Sequence, residues 1–298
     1  MSEVLHPWRR PICQVLVPVY LTVIFGAPLA IIEASWSLVG NPWARGLLVL
    51  IAPLAYAFMF CILAGVLSLP HRKGVVAGKF PRDVRHPVYF HRRMHGLCWT
   101  SLYYFKPVYY LCLTIPTLKR ATFRLFGYRG SLDFTAYPDT WIRDLPLLSI
   151  GKGVYLSNRA TIGTNIATRN GSIVVSGITI DDGALIGHLS MLAPGVHVGK
   201  QAEIGVGCGV GLQVELGDRA YIGPCCAIDS GASFLEESSV GAMSYVGKRT
   251  VVGAGVSVPS GALLPSRQKI TPETDLEQYV SSATVKKLKP KDLEQSSV

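Results

Sequence analysis

Apolar residues are spaced in two different ways along the chain, and the spacing changes near its middle. Residues 12–32, ICQVLVPVYLTVIFGAPLAII, and 47–69, LLVLIAPLAYAFMFCILAGVLSL, are two long runs without a charge. At about 1.5 Å of rise per residue, each predicts a helix able to cross a hydrocarbon core of about 30 Å. Pro18, Pro28 and Pro53 suit membrane helices better than soluble ones. From Ile150 the pattern switches to a period of six. Stepping by six to Leu264, nineteen of twenty positions are apolar; the exception, Thr168, opens TRNGSIVVSG, whose Asn170-Gly171 favours a tight turn and allows a protruding loop. Glycine follows the aliphatic residue at 151, 163, 187, 199, 205, 211, 217, 223, 241, 247 and 253. A small residue stands four places after it, as at Ala184, Ser190, Cys208, Ala220, Cys226, Ala232 and Ser244. A period of six is neither 3.6 nor simple alternation. It predicts short strands joined by turns that want glycine.

Charge sharpens the division. Residues 1–149 carry 16 Lys+Arg against 6 Asp+Glu, whereas residues 180–263 carry 4 against 8. The basic half is also the apolar half, which favours contact with an acidic membrane surface over nucleic acid. Arg9 and Arg10 precede the first run, and HRKGVVAGKFPRDVRHPVYFHRR follows the second with seven Lys/Arg and one acid. The connecting loop holds Arg45 and the interface-seeking Trp36 and Trp43. The positive-inside rule then puts both ends of a two-span hairpin in the cytoplasm, at the inner (cytoplasmic) membrane. A cleaved signal peptide is the alternative for the first run, but no A-x-A-like site follows it. Residues 97–118 are apolar but broken by Lys106 and Pro107 and flanked by basic residues on both sides. They read as an interfacial or re-entrant segment, or else as an amphipathic helix packed on the next domain. Seven scattered cysteines without a CxxC pair read as reduced thiols.

The expected organisation has four parts. Residues 1–96 form the transmembrane hairpin with a basic cytoplasmic linker, and 97–149 the interfacial or re-entrant helical segment. Residues 150–264 form the repeat domain, and 265–298 a C-terminal helix and tail. DLEQYVSSATVKKL has helical spacing suited to covering the open end of the repeat, and KKLKPK suits lipid headgroups or a solvated tail.

The aliphatic-Gly-x-x-small-x unit over 150–264 resembles the hexapeptide repeat of the left-handed parallel β-helix acyltransferases. That resemblance implies triangular coils of three hexapeptides each, about six coils in one unbroken phase. The expected fold class is therefore mainly β, a left-handed parallel β-helix preceded by an α-helical transmembrane anchor. Membrane spans ahead of a hexapeptide helix, with a loose Pro…Leu…Arg-Leu-x-Gly pattern in the connection, resemble the membrane-embedded C-terminal region of polylysine-synthetase-like proteins.

The resemblance also implies a chemistry. His188 is third in its hexapeptide, IGHLSM, where lipid A pathway acyltransferases and bacterial sugar N-acetyltransferases are similar in carrying a catalytic histidine. Its implied role is general base toward an acceptor hydroxyl or amine attacking a thioester. The oxyanion needs a hydrogen-bond donor, and the backbone N–H of Gly205 or Gly207, one coil along, is the candidate in the coenzyme A-binding region. His197 is sixth in its hexapeptide, and stacking at +18 would pair it with Glu215. Asn170, at −18 from His188, is the candidate to orient its ring, or else a plain turn residue. Cys208 and Cys226 stack at the small inward position and read as core. With two histidines in the repeat at a spacing that is not a multiple of the coil, no metal is expected. The implied donor is a coenzyme A thioester or acyl carrier protein, with no permanently bound cofactor. The implied partners are membrane lipid and two further copies in a homotrimer, with no nucleic acid. A non-catalytic trimeric membrane scaffold or docking module is the alternative reading.

Overall fold

The computed structural model describes residues 5–280. The described residues divide into two compact units, one of residues 5–150 and 162–178, the other of 151–161 and 179–280.

The first unit opens with two long helices, α1 (Arg9–Leu38) and α2 (Pro42–Ser68). Asn41 caps α2 by accepting the Trp43 N–H at 2.9 Å, and Pro42 sits in the first turn, where its missing N–H costs nothing. The two helices meet through Phe25 and Phe60, whose rings lie edge to face at 4.9 Å. Their other faces leave large apolar residues exposed, among them Leu38, Trp43 and Leu50, and few of their residues are buried. Both are long and apolar enough to cross a membrane. Three shorter helices follow, α3 (Pro87–Tyr104), α4 (Lys106–Thr114) and α5 (Pro116–Leu125). Each has proline in its first turn. Residues 97–118 are therefore not one helix, because Lys106 and Pro107 start a new one. Trp99 anchors these helices against Tyr109, Phe123 and Phe126, and its indole N–H donates to the Ile142 carbonyl at 2.5 Å.

A hairpin completes this unit. Strand Asn165–Ala167 turns at Asn170-Gly171 into Ser172–Val175, and Gly78–Pro81 adds a third antiparallel strand. Gly171 takes φ +76°, which glycine allows at no cost. The phase of six continues in residue number, but these residues form a separate antiparallel sheet and not a coil. Ile173 and Val175 are buried against Phe80, whereas Thr168 and Val174 belong to no inward column of coils. Strand alternation has replaced the period of six. A buried ion pair lies close by. Arg92 donates to the Asp144 carboxylate and to Asn165 Oδ1 (2.9 Å), and the Thr164 hydroxyl donates to Asp144 at 2.6 Å.

The second unit is a left-handed parallel β-helix, and the solenoid of the whole chain counts about eight turns. One face runs from Val154–Leu156 through Leu185–Ile186 to Ser257–Val258. Within this unit a second face includes Met191–Leu192 and ends at Leu263–Leu264, and a third runs from Ile178–Ile180 through His197–Val198 to Lys269–Ile270, one hexapeptide beyond the expected end. The inward residues, such as Ile186, Val198, Ile204 and Val246, are fully buried. Each contributes about 1.5–3 kcal/mol relative to exposure, so a continuous column can sustain a fold with few helical contacts.

The glycines have a different task from the one the spacing suggests. The left-handed turn residue falls three places after the aliphatic, as at Leu189, Gln201 and Gln213, and there side chains are common. The glycine one place after the aliphatic has no positive φ. It is required because a Cβ on Gly187 would lie 2.5 Å from the backbone of Gly205. Close stacking of coils, not turn conformation, selects glycine at that place. At the far end Glu277–Tyr279 makes one 3-10 turn, and Val280 bridges Ala262. The remainder of the expected C-terminal helix and tail, from 281 onward, lies outside the described residues.

Candidate functional site

His188 sits on the corner that follows the strand Leu185–Ile186. Main-chain bonds hold this corner on both sides. Leu189 N–H donates to the Asn158 carbonyl (3.3 Å), and Gly207 N–H donates to the His188 carbonyl (2.8 Å). Ser190 stitches it further: its hydroxyl donates to the Gly205 carbonyl (2.6 Å) and accepts the Cys208 N–H (3.0 Å). Leu189 takes the left-handed conformation at φ +60°. The His188 ring is half-buried and has no hydrogen-bond partner among the described residues.

The register identifies its neighbours. Leu185 and Ile186 pair with Tyr155 and Leu156 on one side and with Glu203 and Ile204 on the other. The step from Leu156 to Ile186 is five hexapeptides, and the step from Ile186 to Ile204 is three. Asn158 therefore holds the place one coil before His188, and Val206 the place one coil after. Asn170 does not: its Oδ1 accepts the Thr168 hydroxyl (2.5 Å) and the Ser172 N–H (3.3 Å) in the hairpin turn. The longer step exceeds the shorter by two whole hexapeptides, so the apolar phase passes through the insertion unchanged. A period-six reading passes over Asn158 for that reason, and carries no signal that would find it.

Gly205 and Gly207 lie next to the corner, but both amides are engaged. Gly205 N–H donates to the Ile222 carbonyl at 2.7 Å, and Gly207 N–H to His188. Neither is free to receive an oxyanion in this arrangement. His197 lies elsewhere, on the third face. Glu215 is its ladder neighbour, as a step of three hexapeptides requires, but the ring nitrogen Nε2 bonds Asp181 Oδ2 at 2.8 Å. The pair is exposed to solvent and worth at most about 1 kcal/mol. An acid one place after the inward Ile180, where glycine stands in most repeats, was the available sign of Asp181. The four candidate side chains thus do not converge on one site. Cys208 and Cys226 are buried, and each thiol donates to a carbonyl, Gly223 and Gly241, at 3.1 Å. The adjacent Cys226 thiol, then burial, pushes the Cys208 thiol up, away from nucleophilic use.

The corner differs from the rest of the surface. Leu189, Val206 and Met243 are exposed along it, with Met191 and Tyr245 exposed on the adjoining face. The corner past His197 is charged instead, and Arg219 there bridges Glu236 and Glu237 at 2.5 and 2.9 Å. Among the described residues no three His, Cys, Asp or Glu side chains come together to hold a metal ion.

No family model matches the chain, and no curated protein matches it. Solved structures do. A perosamine N-acetyltransferase from Caulobacter crescentus, in complex with CoA and GDP-perosamine, is 22% identical with a TM-score of 0.31. The match covers 53% of this chain, which spans 63% of that protein's length. AntD, an N-acyltransferase from Bacillus cereus in complex with dTDP and coenzyme A, is 15% identical with a TM-score of 0.31, over 53% of this chain and 83% of that one. LpxA from Acinetobacter baumannii is 12% identical with a TM-score of 0.28, over 46% and 68%. Independently of these, the chain's own ladders and six-residue repeat make its second unit a hexapeptide-repeat left-handed β-helix.

Proposed function

We propose that the protein is a membrane-anchored acyltransferase that moves an acyl group from a thioester donor to a hydroxyl or amine of a membrane-proximal acceptor. The donor is acyl-CoA or acyl carrier protein, and His188 is the general base. The observation that carries this reading is an imidazole without a hydrogen-bond partner among the described residues, half-buried on a corner whose backbone is fixed from both sides. A rigid mount of this kind leaves the ring free for a substrate and limits reorganisation during reaction.

In the step itself, a ring nitrogen takes the proton from the acceptor as its oxygen or nitrogen attacks the thioester carbonyl carbon. The tetrahedral adduct collapses, the C–S bond breaks, and the imidazolium returns the proton to the leaving thiolate. Exposed Leu189, Val206 and Met243 give the corner an apolar lining. That lining supports the seating of an acyl chain and the packing of neighbouring copies as a homotrimer. Helices α1 and α2 act as the two spans, with both ends and the β-helix in the cytoplasm.

The test is thiol release from acyl-CoA or acylated carrier protein by the purified protein, compared with His188→Ala. Loss of release, with donor binding and oligomeric state retained, is expected. Unchanged release in the variant overturns the assignment. Absence of any donor-induced thermal shift in the wild type turns the reading to a non-catalytic scaffold.

A further inference from the structure

The first unit contains a second cluster that the transfer chemistry does not use. Arg10 lies in the first turn of α1, Arg82 and Arg85 lie in the loop after strand Gly78–Pro81, and Arg93 lies on α3. The four line a cavity of about 510 Å³. Its one acid is Asp83, and that carboxylate is committed. It accepts Arg85 Nε at 2.9 Å, Arg85 Nη2 at 2.6 Å and the Arg85 N–H at 2.8 Å. Arg10, Arg82 and Arg93 have no carboxylate partner among the described residues. Three like charges around one hollow repel each other, and a multivalent anion removes that cost. A second cavity of about 330 Å³ shares Arg10, Val84 and Arg93 with the first. It continues along α1 past Cys13, Gln14 and Val17, so its far wall is mostly apolar.

We infer that this cleft binds a phosphate-bearing lipid, with the phosphate among Arg10, Arg82 and Arg93 and an acyl or prenyl chain against Cys13 and Val17. Guanidinium forks match phosphate oxygens in pairs, and an apolar continuation has no use for a free anion. The inference rests on α1 being a span, which puts Arg10 at headgroup depth beside the exposed Trp8.

The full chain in neutral detergent is titrated with short-chain phosphatidic acid, phosphatidylcholine and inorganic pyrophosphate, with binding read by native mass spectrometry. Phosphatidic acid binding is expected, weakened tenfold or more in Arg82→Gln/Arg93→Gln and retained in Arg82→Lys/Arg93→Lys. Wild-type-like affinity in the double Gln variant overturns the site. Equal affinity for pyrophosphate and phosphatidic acid overturns the lipid assignment. Flotation with phosphatidylcholine vesicles is measured in parallel. A wild type that fails to float refutes the span, whereas a wild type that floats without binding phosphatidic acid refutes the cleft.

Discussion

Asn158 and His188 occupy the same turn position in successive coils, and the Asn158 carbonyl accepts the N–H of Leu189, the residue after the histidine. That bond is made by the main chain and survives substitution; what a variant can remove is the Asn158 side chain, which leaves the adjacent coil about 4.8 Å from that of the histidine. If that side chain positions the imidazole when substrate binds, Asn158→Ala lowers acyl transfer about tenfold and moves the pH profile of kcat/KM, while the main-chain bond to Leu189 stays. Asn170→Ala is expected to leave transfer unchanged while destabilising the hairpin by about 1 kcal/mol through its lost side-chain bonds. Parallel rate and thermal-unfolding measurements on the two variants decide the matter. Equal rates in both would remove Asn158 from any positioning role.

Two substitutions separate the two demands that the coil makes on small residues. Gly187→Ala pushes a methyl to 2.5 Å from the Gly205 backbone, which cannot retreat without parting the coils. A loss of about 1–3 kcal/mol or more is expected. Gln201→Gly acts in the opposite sense. Gln201 holds φ +54°, a conformation that costs an L-residue about 1–2 kcal/mol and glycine nothing. After glycine's own entropy cost of about 0.5–1 kcal/mol, a small net gain is expected. Denaturant midpoints of the two variants should move in opposite directions.

Residues themselves explain how much was legible beforehand. The inward column from Ile180 to Leu264 could be read because burial repeats every six residues and nothing else produces that period. The two long helices were legible from their lack of charge. Asn158 was hidden because the hairpin adds a whole number of hexapeptides, and a periodic signal is blind to its own multiples. Asp181 was marked by an acid at a glycine place, but its pairing with His197 was hidden because an exposed pair leaves no mark on hydropathy. Arg10, Arg82 and Arg93 were visible as charge flanking the spans, but their convergence is a property of the helical packing and is not encoded in spacing.

The Arg92–Asp144 pair predicts a large effect from a small change. Both side chains are at most 2% exposed, so removing the carboxylate leaves a guanidinium charge without its counter-ion in a low-dielectric setting. Asp144→Asn keeps the shape and tolerates the left-handed backbone at φ +54°. It is nevertheless expected to cost about 3–5 kcal/mol. Arg92→Met/Asp144→Asn, which removes the charge from both partners, is expected to recover part of that loss. A double-mutant cycle on unfolding free energy measures the coupling, and additive losses would contradict it.

His95 predicts the response of the first unit to acid. Its ring is buried edge-on to Phe126 and, with Nε2 as donor, bonds the Phe126 carbonyl at 3.3 Å. Burial drives its pKa down to about 4, against the opposing pull of Asp144 and the Phe126 carbonyl. The unfolded chain titrates near 6.5, so between these values the unfolded state binds the extra proton. The histidine's contribution is therefore complete above about pH 6.5 and is lost progressively as pH falls toward about 4. The loss over that window is on the order of 3 kcal/mol. His95→Gln, neutral at every pH, is expected to flatten this part of the stability curve, although it lowers the plateau through poorer packing. Melting temperatures of both proteins in neutral detergent between pH 4 and 7.5 provide the measurement. If the variant keeps the wild-type slope, the acid sensitivity of this unit arises from another group.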